Sequence, residues 1–228
     1  MLGRNHGMVG LATFGASVYV AEHSFHQALP TIPQLLVGGI VAVGAALAPD
    51  LDEAHSLSGR SNPISALPIF GGHRTRTHTL VAVAAVALLA WASAIYGSRD
   101  EVAGVVAFAA TMGGAWAFSG VKRMGMPGAL AFGAALGFIV ARWVPTGWWL
   151  IAALPGPYLS HLVGDAMTPG GVPFLMPFSN GKWSLHLFRT GKTAEKILVT
   201  PLVAAGAVVT AWLAVSPDLH TIAAGIAR

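Results

Sequence analysis

In the run 160–168, SHLVGDAMT, His161 and Asp165 stand four residues apart, so on a helix they share one face with Cβ atoms about 6 Å apart. An imidazole and a carboxylate at that spacing can hold one cation between them. On its own such a pair is more often hydrogen-bonded than metal-ligating. Inside an apolar chain the balance shifts, because ionisable groups in or near membrane spans are costly and mark function by default. The run 48–52, APDLD, adds Asp50 and Asp52, alternating carboxylates that an extended turn would point at one cation or at two neighbouring ones. The plainer reading is a solvated helix end, yet two acids at a helix C-terminus oppose its dipole and call for a compensating cation. The run 72–79, GHRTRTHT, sets His73 and His78 around Arg74 and Arg76. Imidazoles ligate metals and guanidinium groups match phosphate oxygens, although a basic anchor beside a membrane would look similar. His6 joins the set only through its company.

The elements that position these residues must be membrane helices. The 228 residues are 54% hydrophobic and only 10% charged, with a mean hydropathy of +0.65, too apolar for a soluble domain of this size. A span takes about 20 mostly apolar residues, and seven stretches come near it: 7–29, 32–48, 80–96, 102–120, 129–144, 148–167 and 197–215. The expected fold is all-α, a polytopic membrane protein of about seven transmembrane helices, five to seven, in one domain over 1–228. The first stretch has no basic region beyond Arg4 and no small-residue cleavage pattern, so it reads as a helix and not as a removed signal. Small residues such as Gly104, Ala107, Gly113 and Gly114 suit close helix packing. Pro155-Gly156-Pro157 interrupts the sixth stretch, and a fresh helix is expected from Tyr158. Two long segments, 49–79 and 168–196, carry most of the polar residues. The second, with Phe174, Leu175, Phe178, Trp183, Leu185 and Leu187, suits the headgroup boundary or a loop packed on helix ends.

The absence of cysteine excludes disulfides, thiolate metal sites and cysteine nucleophiles. Thirteen Lys and Arg against nine Asp and Glu lack the clustered, aromatic-interleaved pattern of a nucleic-acid surface, so no nucleic-acid partner is expected. The basic excess is instead a topology signal. With a cytoplasmic N-terminus, Arg4, Arg60, Arg74, Arg76, Lys122, Arg123, Lys182, Arg189, Lys192 and Lys196 fall inside, and Arg99, Arg142 and Arg228 outside. On that topology His6, Asp50, Asp52, His73, His78, His161 and Asp165 all come to the cytoplasmic ends of helices. Nitrogen and oxygen ligands without sulfur suit Zn²⁺, Mn²⁺ or Fe, and seven such residues suffice for two ions with positions left for water. Glu22, His23 and His26 form a rival cluster, but they lie about 24 to 30 Å further along the first helix. They read as snorkelling residues of the outer boundary. His55, His186 and His220 gain no partner, although His186 with Arg189 can touch a headgroup.

Taken in order, His6, PDLD at 49–52, GHRTRTHT at 72–79 and LSHLVGDAMTPGGVPFLMPF at 159–178 resemble the YdjM-type family of membrane-bound, metal-dependent hydrolases, also described as LexA-binding and inner-membrane-associated. GKTAE at 191–195 resembles the segment that follows in that family. The resemblance implies metal ligation or catalysis for His6, Asp50, Asp52, His73, His78, His161 and Asp165. The chain departs from the usual LPDID at Ala48 and Leu51 and from the common THS at Thr79, and neither change removes a ligand. The order His, Asp, His, HxxxD also resembles that of zinc-dependent phospholipases C and fungal zinc nucleases, an analogy that suggests phosphoester hydrolysis. The expectation is a hydrolase of the bacterial inner membrane that cleaves a lipid or lipid-linked phosphoester at the cytoplasmic face with two or more divalent ions, zinc foremost. Arg74 or Arg76 would orient the phosphate, and Asp52 or Asp165 would bridge metals or accept the water proton. Rival readings are a regulatory membrane protein with a cytosolic protein partner and a metal or solute transporter. The transporter is disfavoured because its substrate would sit near the bilayer midplane.

Overall fold

The computed structural model describes residues 1–53, 56, 74–118 and 125–226, with side chains to 216. Among these residues the chain runs through α1 (Gly3–Phe25), α2 (Ile32–Leu47), α3 (Leu80–Ile95), α4 (Arg99–Ala117), α5 (Met126–Trp143), α6 (Trp149–Ala153), α7 (Pro155–Ala166) and α8 (Thr200–Ile226). Short 3-10 turns at Ala48–Asp52 and Arg76–His78 and a π-helical turn at Glu195–Val199 complete the order. No strand occurs among the described residues, and one antiparallel bridge joins Val172 to Trp183. The fold is all-α, as the sequence leads one to expect. Three stretches, Ile32–Asp52, Met126–Trp143 and Glu195–Ser216, are long and apolar enough to cross a membrane, and Leu80–Ile95 is apolar but shorter.

Helix starts follow from local chemistry. The Ser98 N–H donates to Glu101 Oε2 (2.7 Å) and the Glu101 N–H to Ser98 Oγ (3.3 Å), a reciprocal cap that satisfies two donors with no intrahelical partner. Thr79 Oγ1 accepts the Ala82 N–H at 3.1 Å and so caps α3, a role for which threonine replaces serine without loss. The helix expected from Tyr158 starts three residues earlier, at Pro155. Prolines cost nothing in a first turn, where their missing N–H would be unpaired anyway, so the Pro-Gly-Pro run begins a helix as well as ending one.

Helix α2 is the axis of the bundle. It packs against α1, α4, α6 and α7, and 67% of its apolar window is buried, against 11% for the span Glu195–Ser216 that includes the first part of α8. Small residues permit this crowding. Gly10 of α1 lies against Ala42 and Ala46, and Gly44 faces the Ala109 carbonyl of α4. Gly113 returns the contact from α4, where an added Cβ would lie 2.9 Å from Ile40 O. Two sets of bonds mark the opposite ends. Trp116 Nε1 donates to Arg4 O (3.0 Å) at one end, and Gln34 Nε2 donates to Pro145 O (3.0 Å) at the other.

The segment after α7 lies on helix ends. Leu185 N–H donates to Ala166 O (2.7 Å), Leu187 N–H to Met167 O (2.8 Å) and Leu80 N–H to Phe174 O (2.9 Å), which supplies partners to helix-terminal groups. Its outer side keeps Leu175, Phe178, Trp183, Leu185 and Leu187 exposed.

Because α2 and α4 meet backbone to backbone at Gly44, Gly44→Ala should lower the thermal midpoint of detergent-purified protein by an overpacking cost of about 1 to 3 kcal/mol. Gly104→Ala, which meets nothing within 4 Å, should leave the midpoint unchanged or raise it.

Candidate metal centre

Each side chain of the centre is delivered by the end of an element. Helix α7 carries Tyr158, His161 and Asp165 at i, i+3 and i+7, one face that meets α2 and the turn before α3. Helix α2 tightens at Ala48–Asp52 into a 3-10 turn. The expected extended turn is thus replaced by a helical one, and the two acids diverge. Asp50 faces His161, Asp52 faces His78, and Leu51 between them is buried against Val43, Leu47 and Met112. The Arg76–His78 turn is held down by Tyr158, whose hydroxyl donates to Thr77 O at 2.6 Å.

Four side chains offer ligand atoms that all lie within 4.8 Å of one another: Asp50, His78, His161 and Asp165. His161 Nε2 is 3.4 Å from Asp50 Oδ1 and 3.7 Å from Asp165 Oδ2. His78 Nε2 is 3.8 Å from Asp50 Oδ1 and 3.7 Å from Asp165 Oδ2. Bonds of about 2.0 to 2.1 Å in a tetrahedral site put ligands roughly 3.3 Å apart, so the four histidine–carboxylate separations are a few tenths of an ångström wider than an ion would set them. The tautomers suit that. His161 Nδ1 lies 2.7 Å from Ala46 O, a pure acceptor, so Nδ1 carries the proton and the buried Nε2, which has no hydrogen bond among the described residues, presents its lone pair.

His78 is arranged likewise, with Nδ1 3.2 Å from Asp52 Oδ2 and 3.0 Å from Thr77 Oγ1. Burial works to lower its pKa, but hydrogen bonds to Asp165 and Asp52 and the neighbouring carboxylate charge prevail and hold it above the ordinary imidazole value.

His6, buried in α1, stacks on His161 with ring centroids 3.7 Å apart, and its Nε2 is 3.2 Å from Asp165 Oδ1. It stands beside the four and not among them. Asp52 lies behind His78. Its Oδ2 accepts the Arg74 N–H (2.9 Å) and the Thr77 hydroxyl (2.7 Å) besides facing His78. Arg74, with φ 55°, turns its side chain inward so that Nη2 meets Asp165 Oδ2 at 2.8 Å. Arg76, two residues on, is exposed, so the paired arginines of the sequence separate. His73 lies outside the described residues, as do His55 and the side chain of His220. Asp165 Oδ1 also lies 2.6 Å from the Met1 amino nitrogen.

Residues 1–120 and 125–224 match the family model described as YdjM inner membrane protein. The chain belongs to that family. No curated protein and no solved structure matches it. The YdjM chain thus carries its Asp/His cluster at one end of an all-helical bundle. The rival residues sit at the far end of α1: His23 Nδ1 is 2.9 Å from Tyr19 O and 3.5 Å from Glu22 Oε2, and His26 is exposed in the helix C-cap. His186 is exposed, with Nδ1 3.0 Å from Ser184 Oγ.

Glu195 was not singled out by the sequence reading, yet it is fully buried and ties the entry of α1 to the entry of α8. It accepts the Leu2 N–H (2.6 Å), Asn5 Nδ2 (2.9 Å) and the Gly191 N–H (2.6 Å), which fixes the first turn of α1 and with it His6. The signal was present: a lone acid opening an apolar span is costly unless it has such work. Thr77 and Tyr158 were also passed over, although Tyr158 shares the heptad-like face of His161 and Asp165.

Partners that orient a metal-ligating histidine typically contribute 10- to 100-fold to affinity, so Asp52→Ala should weaken binding of Zn²⁺ by about that factor. His26→Ala should leave the metal content of purified protein unchanged. Equal loss of metal in both variants would refute the assignment.

Proposed function

We propose that this YdjM protein is a multi-pass inner-membrane hydrolase that uses divalent metal to cleave a phosphoester of a lipid or lipid-linked substrate at the cytoplasmic face. The observation that carries the reading is the convergence of Asp50, His78, His161 and Asp165 beside an arginine whose buried Nε has no hydrogen bond among the described residues. A buried donor left unpaired costs about 1 to 3 kcal/mol. A phosphate oxygen would satisfy it while the Nη atoms stay on Asp165 and Thr168. Two imidazole nitrogens with two carboxylate oxygens and no sulfur favour zinc, with manganese or iron as alternatives. When bound, such an ion, with a position opened by expansion beyond four ligands or by release of one of them, would supply an acidified water near neutral pH and offset phosphate charge.

The remaining roles belong to the chain. Asp165 turns Oδ2 to the four-residue cluster and Oδ1 to His6 and the Met1 amino group, so one carboxylate would serve the ion and hold the start of α1 beside it. Asp52, occupied with Arg74, Thr77 and His78, positions His78 instead of bridging metals. Asp50, whose side chain is 16% exposed against 2% for Asp165, is the ligand nearer to solvent. Arg74 orients the phosphate inside the site, and Arg76 meets headgroups outside it. A site at the end of the bundle suits a substrate presented at the membrane surface better than one carried across the midplane.

Five to seven spans are consistent with helix lengths. Besides the three longest apolar stretches, α1 has 23 residues and α4 has 19, about 34 and 28 Å at 1.5 Å per residue. The ten-to-three partition of Lys and Arg supports a cytoplasmic site. The chain has no native cysteine, so Lys182→Cys and Asp100→Cys can be labelled singly. An impermeant thiol reagent added outside cells should modify the second and spare the first. Labelling of both from outside would overturn the orientation.

The activity itself is tested with purified protein loaded with Zn²⁺ or Mn²⁺ on a panel of long-chain lipid phosphoesters. Release of phosphate or a phosphorylated headgroup is expected, and His161→Ala and Asp165→Ala should abolish it. An intact panel at full metal occupancy would remove the hydrolase reading.

A further inference from the structure

The face of α7 next to the metal cluster borders an apolar cavity of about 600 Å³, open on one side and lined by α1, α7, α8 and the strap at Leu187 and Phe188. Its volume is that of a small-molecule site. His161 and Asp165 point one way from α7, while Ser160, Val163, Gly164 and Met167 wall the cavity. The two spaces are neighbours through Gly164. An added Cβ there would lie 2.8 Å from Met1 Cε and 3.3 Å from His6 Cε1, so glycine leaves little more than one atomic layer between cavity and cluster.

The lining offers nothing to a polar ligand. Its two hydroxyls are spent within their own helices, Thr13 Oγ1 on Val9 O (2.8 Å) and Ser160 Oγ on Pro157 O (2.7 Å). A sugar or peptide buried there would lose its hydrogen bonds to water without replacement. The outer wall is the start of α8, the helix of the least buried span, where Leu202 is 74% exposed. The strap leaves Trp183 60%, Leu185 64% and Leu187 64% exposed at the level of the cluster. An aromatic and aliphatic rim of that kind belongs at the boundary of headgroups and acyl chains. The cavity therefore faces hydrocarbon on its open side and the Asp/His cluster on its closed side.

We propose that this cavity seats one hydrocarbon chain of the lipid phosphoester, entering sideways between α7 and α8, and so positions the phosphate at the cluster. The proposal rests on the phosphoesterase reading for the identity of the headgroup, but the chain site stands on its own geometry. Because lipid tails are as apolar as this lining, the chain gains little affinity by leaving the bilayer. What the cavity contributes is orientation of the scissile group.

The test uses wild-type protein in liposomes with a diacyl phosphatidic acid that carries a diazirine midway along one chain. On irradiation, adducts should concentrate on Val163, Met167, Leu202 and Val203 and be competed by unlabelled dioleoyl phosphatidic acid but not by the dihexanoyl form. Val163→Trp/Val203→Trp should lose these adducts, and Val203→Trp alone, the milder change, should reduce them, with both variants keeping the wild-type gel-filtration profile. His161→Ala should keep the adducts while losing hydrolysis. Adducts spread evenly over exposed residues of α5 such as Leu130 and Phe138, or unaffected by both tryptophan variants, would overturn the chain site. Saturable adducts in the cavity together with an intact lipid panel would support the chain site and overturn the hydrolase reading instead.

Discussion

A carboxylate taken out of water must be answered by partners that replace its hydration, and Asp165, 1% exposed, imposes that demand on the whole end of the bundle. Its answer comes from distant parts of the chain: Arg74 at 2.8 Å, His6 at 3.2 Å, and His78 and His161 each at 3.7 Å. None of these is adjacent in sequence except His161, one helical turn away. The end of α1, the end of α2 and the turn before α3 are therefore held to α7 by electrostatics as much as by packing. Several of these groups face one another without hydrogen bonds among the described residues, as His161 Nε2 does. In a native interior such groups ask for a partner, and a cation is the partner that imidazole and carboxylate share.

Helix α2 makes the convergence possible. Its buried length presses on α1, α4, α6 and α7 through small residues, and at its end it turns from α to 3-10 geometry, which separates Asp50 from Asp52. The separation divides labour. One acid joins the cluster, and the other sits behind His78 and fixes its ring. Ala46 O performs the same service for His161 at 2.7 Å, so even the last turn of α2 contributes through its backbone. Glu195 extends the scheme to α1 by holding its first turn with two hydrogen bonds, from Leu2 and Asn5.

The segment 168–188 lies between this centre and the exposed surface at the end of the bundle. Its backbone supplies hydrogen-bond partners to the ends of α7 and α3 while its side chains turn outward as an apolar rim. A loop can do both because backbone polarity is spent inward and side chains alternate in direction along an extended run. The result is a polar cluster covered by protein on one side and flanked on the other by an exposed apolar rim.

The sequence by itself determined the class of fold and singled out Asp50, His78, His161 and Asp165 among its ligand-type residues, the four that the structure brings together. Composition dictates helices, since a chain this apolar must satisfy its backbone internally, and the i, i+4 spacing of His161 and Asp165 fixes a shared face whatever surrounds it. Helix boundaries that depend on special residues, such as the proline start of α7, were legible to within a few residues. What only the tertiary structure decided is the rank of each polar residue within the cluster. Asp50 and Asp52 are indistinguishable as letters two apart, and so are Arg74 and Arg76. Their roles separate because a 3-10 turn and a residue at φ 55° send neighbouring side chains in different directions. The partners of Glu195 and the service of the Ala46 carbonyl were invisible for the complementary reason. Their work is to orient other groups across long sequence separations, and sequence spacing carries no information about contacts made between elements.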